Sequence, residues 1–86
     1  MVVKVELFTS ELCSRCAGAR RLLSELVEEL GAEQFDLHIV DVVRNLDHAV
    51  EVGVLTTPAL ALDGRLVCAP LPSRNGLRRL LTCALA

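Results

Sequence analysis

The chain has 86 residues and a formal net charge of −2 at pH 7, and 52% of its residues are hydrophobic while 2% are aromatic. This length predicts one domain over residues 1–86, with a core built from Leu, Val and Ala. The charge provides no basic surface for nucleic acid, and no apolar run approaches the roughly 20 residues of a membrane span. The first residues begin a strand and are not organised like a signal peptide, so we expect a cytoplasmic protein. We also expect it to act as a monomer.

The first third of the chain predicts a strand followed by an amphipathic helix. Apolar and polar residues alternate over residues 2–9, which is typical of a strand. Apolar side chains at helical spacing then predict a helix over residues 17–30, which Gly31 is placed to end. On its polar face Arg21 and Glu25 are four residues apart, a spacing that favours an ion pair within the helix.

The next segment predicts a second strand and a short helix. The strand is expected over residues 35–43, and Val40 and Val42 make it apolar on both sides, as in a strand that helices cover on two faces. Asn45 is placed to cap a helix that runs to residue 52. We expect that helix to turn three apolar side chains inward, namely Leu46, Ala49 and Val50.

The last third predicts a hairpin and a final helix. A third strand is expected to begin at Pro58, and Asp63-Gly64 is a strong signal for a tight turn into a fourth strand over residues 65–69. Pro70 and Pro72 break that strand, Ser73 can cap the last helix, and Leu77 begins its apolar face. The element order is therefore β-α-β-α-β-β-α, an α/β fold in which a right-handed crossover makes the first two strands parallel and helices cover both faces of the sheet.

Between the first strand and the first helix lie Cys13 and Cys16, separated by Ser14 and Arg15. Unpaired N–H groups and the dipole at a helix N-terminus stabilise an anion, so this position favours the thiolate of Cys13, and Arg15 adds positive charge. Cys16, one helical turn later, is placed to resolve a mixed disulfide formed at Cys13. A C-x-x-C pair alone also occurs in zinc sites and in structural roles, so these alternatives stay open at this point.

The dithiol before the first helix, the order of the elements and Thr57-Pro58 before the third strand together resemble the thioredoxin/glutaredoxin superfamily, over essentially the whole chain and at glutaredoxin length. The resemblance implies a thioredoxin-like fold with a four-stranded mixed sheet of order 2-1-3-4, and a cis peptide bond before Pro58 that lies against the dithiol. It implies a thiol–disulfide oxidoreductase in which Cys13 attacks and Cys16 resolves. The substrate surface would comprise Ser14, Arg15, Thr56, Thr57 and Pro58, with the loop of residues 68–70 beside them. A non-catalytic binding module, or a redox or metal sensor, is the alternative.

The chain also departs from the patterns of both families. It has no Trp beside the dithiol, and an apolar residue near Leu7 replaces the buried acid of thioredoxins. The Gly-Gly and Asp with which glutaredoxins hold glutathione are missing, since residues 67–72 read Val-Cys-Ala-Pro-Leu-Pro. We therefore expect no cofactor, with glutathione possible only as a reductant. The expected partners are disulfide-containing proteins, together with an unidentified reductase or glutathione as electron donor.

Several further residues have structural expectations only. Cys68 in the last strand and Cys83 in the last helix are predicted to be packing residues, and no metal site is expected because their spacing forms no second C-x-x-C knuckle. His38 and His48 are predicted to lie away from the dithiol and to be bystanders. The arginines near the C-terminus, including Arg78, are expected to form a solvated helix face.

Overall fold

Four strands form one mixed sheet in the computed structural model, which describes residues 2–85. The strands are β1 (Val3–Thr9), β2 (Phe35–Asp41), β3 (Ala59–Leu62) and β4 (Arg65–Cys68). Their order is β2-β1-β3-β4, with β1 parallel to β2 and antiparallel to β3, and β3 antiparallel to β4. The predicted fold class, element order and sheet order are confirmed.

Three helices cover the two faces of this sheet unequally. They are α1 (Cys16–Leu30), α2 (Leu46–Val52) and α3 (Arg74–Leu85), with a short 3-10 turn at Ala32–Gln34. Because successive side chains of a strand point to opposite faces, β1 contributes Val5 and Leu7 to the core under α1 and α3, and Phe8 to a smaller core beside α2. No helix within residues 2–85 is both long enough and apolar enough to cross a membrane.

The second strand, β2, is shorter than the sequence predicted. β2 ends at Asp41 rather than at residue 43, because the Asp41 carboxylate accepts hydrogen bonds from the next two free N–H groups, those of Val43 (2.8 Å) and Arg44 (3.1 Å), and turns the chain. It is an edge strand, and Ile39 on it is exposed. Both of its faces nevertheless meet a core, since Phe35 and Leu37 pack into the main core and Val40 packs against the smaller core beside α2, so the expectation of a strand covered on both faces is confirmed in part.

The short helix α2 is more exposed than its pattern predicted. Ala49 is its one buried residue, whereas Leu46 is 61% and Val50 is 68% exposed, so the expectation that these two side chains face inward is wrong. A helix of seven residues makes about two turns, so only a few of its side chains can pack against the sheet. Asn45 makes no side-chain cap, but Gly53 ends the helix as predicted, in the left-handed conformation at φ 96°.

Beneath α2 lies a buried carboxylate that the sequence did not reveal. Glu6 is only 3% exposed, and its Oε2 lies 2.7 Å from Nε2 of His48. The His48 ring also packs on Phe8, with ring centroids 5.7 Å apart. Among residues 2–85, the second oxygen of Glu6, Oε1, is buried and has no hydrogen-bond partner. His48 thus lines neither space beside the dithiol, as predicted, but it has a structural role, since it partners a buried acid and attaches α2 to the sheet.

Replacing His48 with Ala should lower the free energy of unfolding by about 1–3 kcal/mol, because the buried Glu6 carboxylate loses its hydrogen-bond partner. His38→Ala is the matched control, since His38 pairs with the exposed Asp36 and should change stability by no more than about 0.5 kcal/mol. Urea denaturation measures both variants. In a Glu6→Leu background the His48 substitution should cost much less, and an equal cost in both backgrounds would contradict the pairing.

Two ion pairs join α1 to α3 on the other face of the sheet. Arg78 of α3 donates two hydrogen bonds to Glu29 of α1, at 2.7 and 3.2 Å, and Arg74 pairs with Glu25. Glu25 therefore has its partner on α3, and not the Arg21 that its spacing suggested. The arginine face is exposed to solvent as expected, and two of its arginines also pair with α1.

Because Arg78 contacts Glu29, we expect part of the free energy of unfolding to depend on pH. Hydrogen bonding from Arg78 lowers the pKa of Glu29 below its ordinary value of 4.5, and the same bond raises the pKa of Arg78. A carboxyl group whose pKa is lowered by folding stabilises the folded state at pH values above its pKa in the unfolded chain. That stabilisation is lost as the pH falls through the pKa of the group in the folded protein.

Arg78→Gln should accordingly lower the midpoint of thermal unfolding slightly at pH 7, since both partners are exposed to solvent. The difference from the native protein should vanish well below pH 4.5. Arg79→Gln is the control, because Arg79 makes no ion pair with any residue from 2 to 85. Thermal unfolding followed by circular dichroism at several pH values tests this, and a difference that persists in acid would contradict it.

Candidate active site

Cys13 and Cys16 form a disulfide where the polypeptide passes from β1 into α1. Their Cα atoms are 5.5 Å apart, which is within the usual range for bonded cysteines. A turn holds the loop in place: the N–H of Cys13 donates to the carbonyl of Ser10 at 3.1 Å, and the N–H of Cys16 to the carbonyl of Cys13 at 3.4 Å. The helix begins at Cys16, one residue earlier than predicted, so Cys13 lies just outside the helix and Cys16 is its first residue.

The two sulfur-bearing residues differ in their access to solvent. Cys16 is 6% exposed and faces the core, whereas Cys13 is half-buried. Attack on a disulfide sulfur needs an open line of approach, so an incoming group reaches this disulfide at Cys13. The geometry thus makes the pair chemically asymmetric.

The start of α1 is arranged to stabilise an anion. Arg15 is the N-cap residue, yet no side chain caps the helix, and the first turn contains no acidic residue. The N–H groups of that turn are thus not occupied by a capping carboxylate or hydroxyl, and they carry the positive end of the helix dipole. A thiolate at Cys13 is the negative charge best placed to benefit from them.

An open cleft of about 400 Å³ lies in front of Cys13. It brings together Cys13 and four of the predicted substrate-binding residues, Ser14, Arg15, Thr56 and Thr57. The fifth, Pro58, is buried and does not line the cleft. The peptide bond between Thr57 and Pro58 is cis. Cys16 does not line the cleft either, but it borders a second hollow of about 270 Å³ on the side of β2, together with Cys13.

Sequence reasoning missed two residues of the cleft wall, namely Ser10 and Leu12, whereas Pro70 belongs to the 68–70 loop that was expected beside the dithiol and does line the cleft. Leu12 is 96% exposed, and Leu55, next to Thr56, is 97% exposed, so two large apolar side chains flank the cleft. A Leu within a polar loop directly before Cys13 was the available signal. Pro70 was recognised as a strand breaker, but the cis bond between Ala69 and Pro70 was not expected.

The other two cysteines lie outside this cleft. Cys68 is partly buried at the end of β4 and packs against the main core, which agrees with its prediction, and burial raises the pKa of its thiol. Cys83 is exposed, so its prediction as a packing residue is wrong. It follows Leu81 by two positions, about 200° around the helix, and therefore points away from the core. Residues 2–85 contain no group of three or more His, Cys, Asp or Glu that could hold a metal ion.

Comparison with known proteins identifies the family. The sequence model described as Thioredoxin domain matches residues 1–82. The chain belongs to the thioredoxin family. A probable thioredoxin of Methanothermobacter thermautotrophicus is 34% identical over 77 residues, which cover 90% of this chain and 89% of that protein. The thioredoxin of Methanocaldococcus jannaschii is 29% identical over 75 residues, 87% of each chain.

Solved structures support the same fold. A mutant thioredoxin from Halobacterium salinarum NRC-1 superposes with a TM-score of 0.82 at 24% identity, over 98% of this chain and 75% of that chain. Mitochondrial thioredoxin 3 from Saccharomyces cerevisiae, in its oxidised form, gives a TM-score of 0.77 at 21% identity, over 94% and 77%. Family membership and the Cys13–Cys16 pair together make this chain a thiol–disulfide oxidoreductase, as the sequence predicted.

In the oxidised protein, alkylation should modify Cys83 first and Cys68 much more slowly, because Cys83 is exposed whereas burial raises the pKa of Cys68 and leaves less thiolate. Cys13 and Cys16 should stay unmodified until the disulfide is reduced. Peptide mass mapping after timed exposure to iodoacetamide measures the order, with Cys83→Ser confirming the assignment. Faster modification of Cys68 than of Cys83 would contradict the described packing.

Proposed function

We propose that Cys13 is the attacking thiol and Cys16 the resolving thiol of a protein-disulfide reductase. The observation that carries this proposal is the unequal exposure of two bonded cysteines, with Cys13 on the open cleft and Cys16 buried at the first position of α1. Only Cys13 can be approached by a large substrate. Cys16 is held within bonding distance of Cys13 and away from other partners.

The proposed reaction consists of two thiol–disulfide exchange steps. The Cys13 thiolate attacks one sulfur of a substrate disulfide, forms a mixed disulfide and releases the other substrate sulfur as a thiolate, which takes a proton from water. Cys16 then loses its proton and its sulfur attacks Sγ of Cys13, which forms the Cys13–Cys16 disulfide and releases the second substrate thiol. Two electrons have passed from the protein to the substrate, and a dithiol reductase or glutathione must return them.

The proposed substrates are proteins that present a disulfide in an extended segment. β3 begins at Ala59, so Thr56 and Thr57 precede its ladder and face the cleft beside Cys13. A substrate strand laid along Thr56 and Thr57 would bring its disulfide to Cys13, in the manner of a strand added to a sheet edge.

The proposed setting is the cytoplasm, with residues 1–86 acting as a single monomeric domain without a cofactor. Two cysteines, Cys68 and Cys83, are unbonded, and thiols persist in a reducing compartment. The segment from Val67 to Pro72 has none of the glycines and no acid of the glutaredoxin pattern, which supports glutathione as an occasional reductant rather than a bound group.

Catalysed reduction of insulin by a dithiol donor tests the activity. Cys13→Ser should lower the rate to the uncatalysed background, because no other thiol of residues 2–85 lines the cleft. Cys83→Ser is the matched control, and it should keep the native rate because Cys83 is exposed on α3 away from the cleft. A native protein that is inactive with both a dithiol reductase and glutathione would overturn the proposal and favour a binding module or a sensor.

The roles of the two thiols are tested separately by trapping. Cys16→Ser should accumulate a mixed disulfide on Cys13 in stoichiometric amount when the reduced protein meets an oxidised substrate, since the resolving step is missing. Cys13→Ser should accumulate none. Intact-mass spectrometry without reductant measures the adduct, and an adduct on Cys16 in Cys13→Ser, formed as fast as the other, would reverse the assignment.

A further inference from the structure

The charge distribution around the cleft singles out one residue. Seven of the eight described side chains that line the cleft are uncharged, being hydroxyl, thiol or apolar groups, and Arg15 is the one charged member. Arg15 is exposed and forms no ion pair with any residue from 2 to 85. Arg15 therefore borders the space that a substrate disulfide has to enter, and its charge has no opposite partner in this part of the protein.

The acidic residues nearest the dithiol lie outside the cleft, on the side of β2. Glu11 and Asp41 line a hollow of about 310 Å³ next to Leu12 and also the hollow of about 270 Å³ that borders Cys13 and Cys16, but neither borders the cleft. The Asp41 carboxylate is also engaged by two backbone N–H groups. The exposed residue Leu12 lines both the cleft and the hollow of about 310 Å³. A substrate segment in the cleft thus meets one cation and an apolar wall.

We infer that Arg15 selects substrates whose disulfide cysteine is flanked by an acidic residue and carries an apolar neighbour that packs on Leu12. This inference rests on the proposed function, in which Cys13 receives the substrate sulfur. A carboxylate beside the substrate cysteine gains a charge-assisted contact with the guanidinium, whereas a Lys at that position is repelled. Both effects act on the encounter and on the mixed disulfide, so they change the rate of exchange according to the substrate.

An effect of Arg15 on the Cys13 thiolate would look different. A charge that only changes the reactivity of Cys13 alters the rate with every substrate by the same factor. Selection by contact alters the ratio between substrates of different charge. The ratio of rates for acidic and basic substrates is therefore the diagnostic quantity.

The test uses three disulfide-linked peptide dimers of sequence Gly-Leu-Cys-X-Gly with blocked termini, in which X is Glu, Gln or Lys. Single-turnover reduction by the full-length dithiol protein gives a second-order rate for each peptide, divided by the rate of the same peptide with dithiothreitol to remove differences in intrinsic reactivity. We expect the native protein to prefer the Glu peptide over the Lys peptide by roughly fivefold at low salt, the size that exposed charge pairs allow. The preference should disappear in about 1 M salt, where the Debye length is about 3 Å.

Substitutions at Arg15 give the decisive comparison. Arg15→Gln should bring the ratio of the Glu and Lys rates close to one, Arg15→Glu should invert it, and Arg15→Lys should preserve it. Arg21→Gln is the matched control, since it removes the same charge from an exposed position of α1 that lines neither the cleft nor the hollows beside the dithiol. It should keep the native ratio.

Two results would overturn the inference in distinguishable ways. An unchanged ratio in Arg15→Gln, or an equal slowing with all three peptides, would show that Arg15 does not select substrates while leaving the exchange activity intact. A native protein that reduces none of the peptides, although dithiothreitol does, would remove the proposed function itself.

Discussion

The central position of β1 is the constraint on which the site depends. β1 is hydrogen-bonded to β2 on one side and to β3 on the other, and its residues Val5, Leu7 and Phe8 are fully buried. The register pairs Thr9 with Asp41 and Phe8 with Ala59. Three segments therefore meet at the same end of the sheet, namely the carboxyl end of β1, the turn that follows β2 and the segment that enters β3. The dithiol loop directly follows β1 and therefore lies at this junction.

Much of this arrangement was readable from the sequence because local signals and global fold agree. The C-x-x-C pair, the apolar stripe of α1, the Asp63-Gly64 turn and Thr57-Pro58 each carry a local rule, and together they allow very few topologies. The part that failed most clearly is α2. Only Ala49 of this helix is buried, against β1 and β3, so Leu46 and Val50 remain exposed, and periodicity alone cannot distinguish an apolar stripe that is buried from one that is not.

Pairings between distant side chains were equally beyond local reasoning. Glu25 has Arg21 four residues away in the same helix, yet it pairs with Arg74 of α3, since the packing of two helices decides which cation is nearest. The buried Glu6 reads as the polar residue of an alternating strand, and only the placement of His48 over the sheet explains why it is inside. In the same way, Leu12 lines the cleft because of how its loop folds, and no rule of residue spacing predicts that position.

The alternation of β1 also separates the buried acid from the dithiol. Leu7 and Glu6 are neighbours in the strand, so their side chains point to opposite faces, with Leu7 in the core beneath α1 and Glu6 beneath α2. A shift of one residue in this pattern would place a carboxylate on the α1 face, where the buried Cys16 lies. Since Leu7 occupies that face instead, no carboxylate of β1 is placed to accept the proton of Cys16, and the carboxylates that border its hollow are those of Glu11 and Asp41. The two cysteines therefore have different polar surroundings. Cys13 meets Arg15 and hydroxyl groups in the cleft, whereas Cys16 borders the hollow that holds the two acids, so different charged groups adjoin the two steps of exchange.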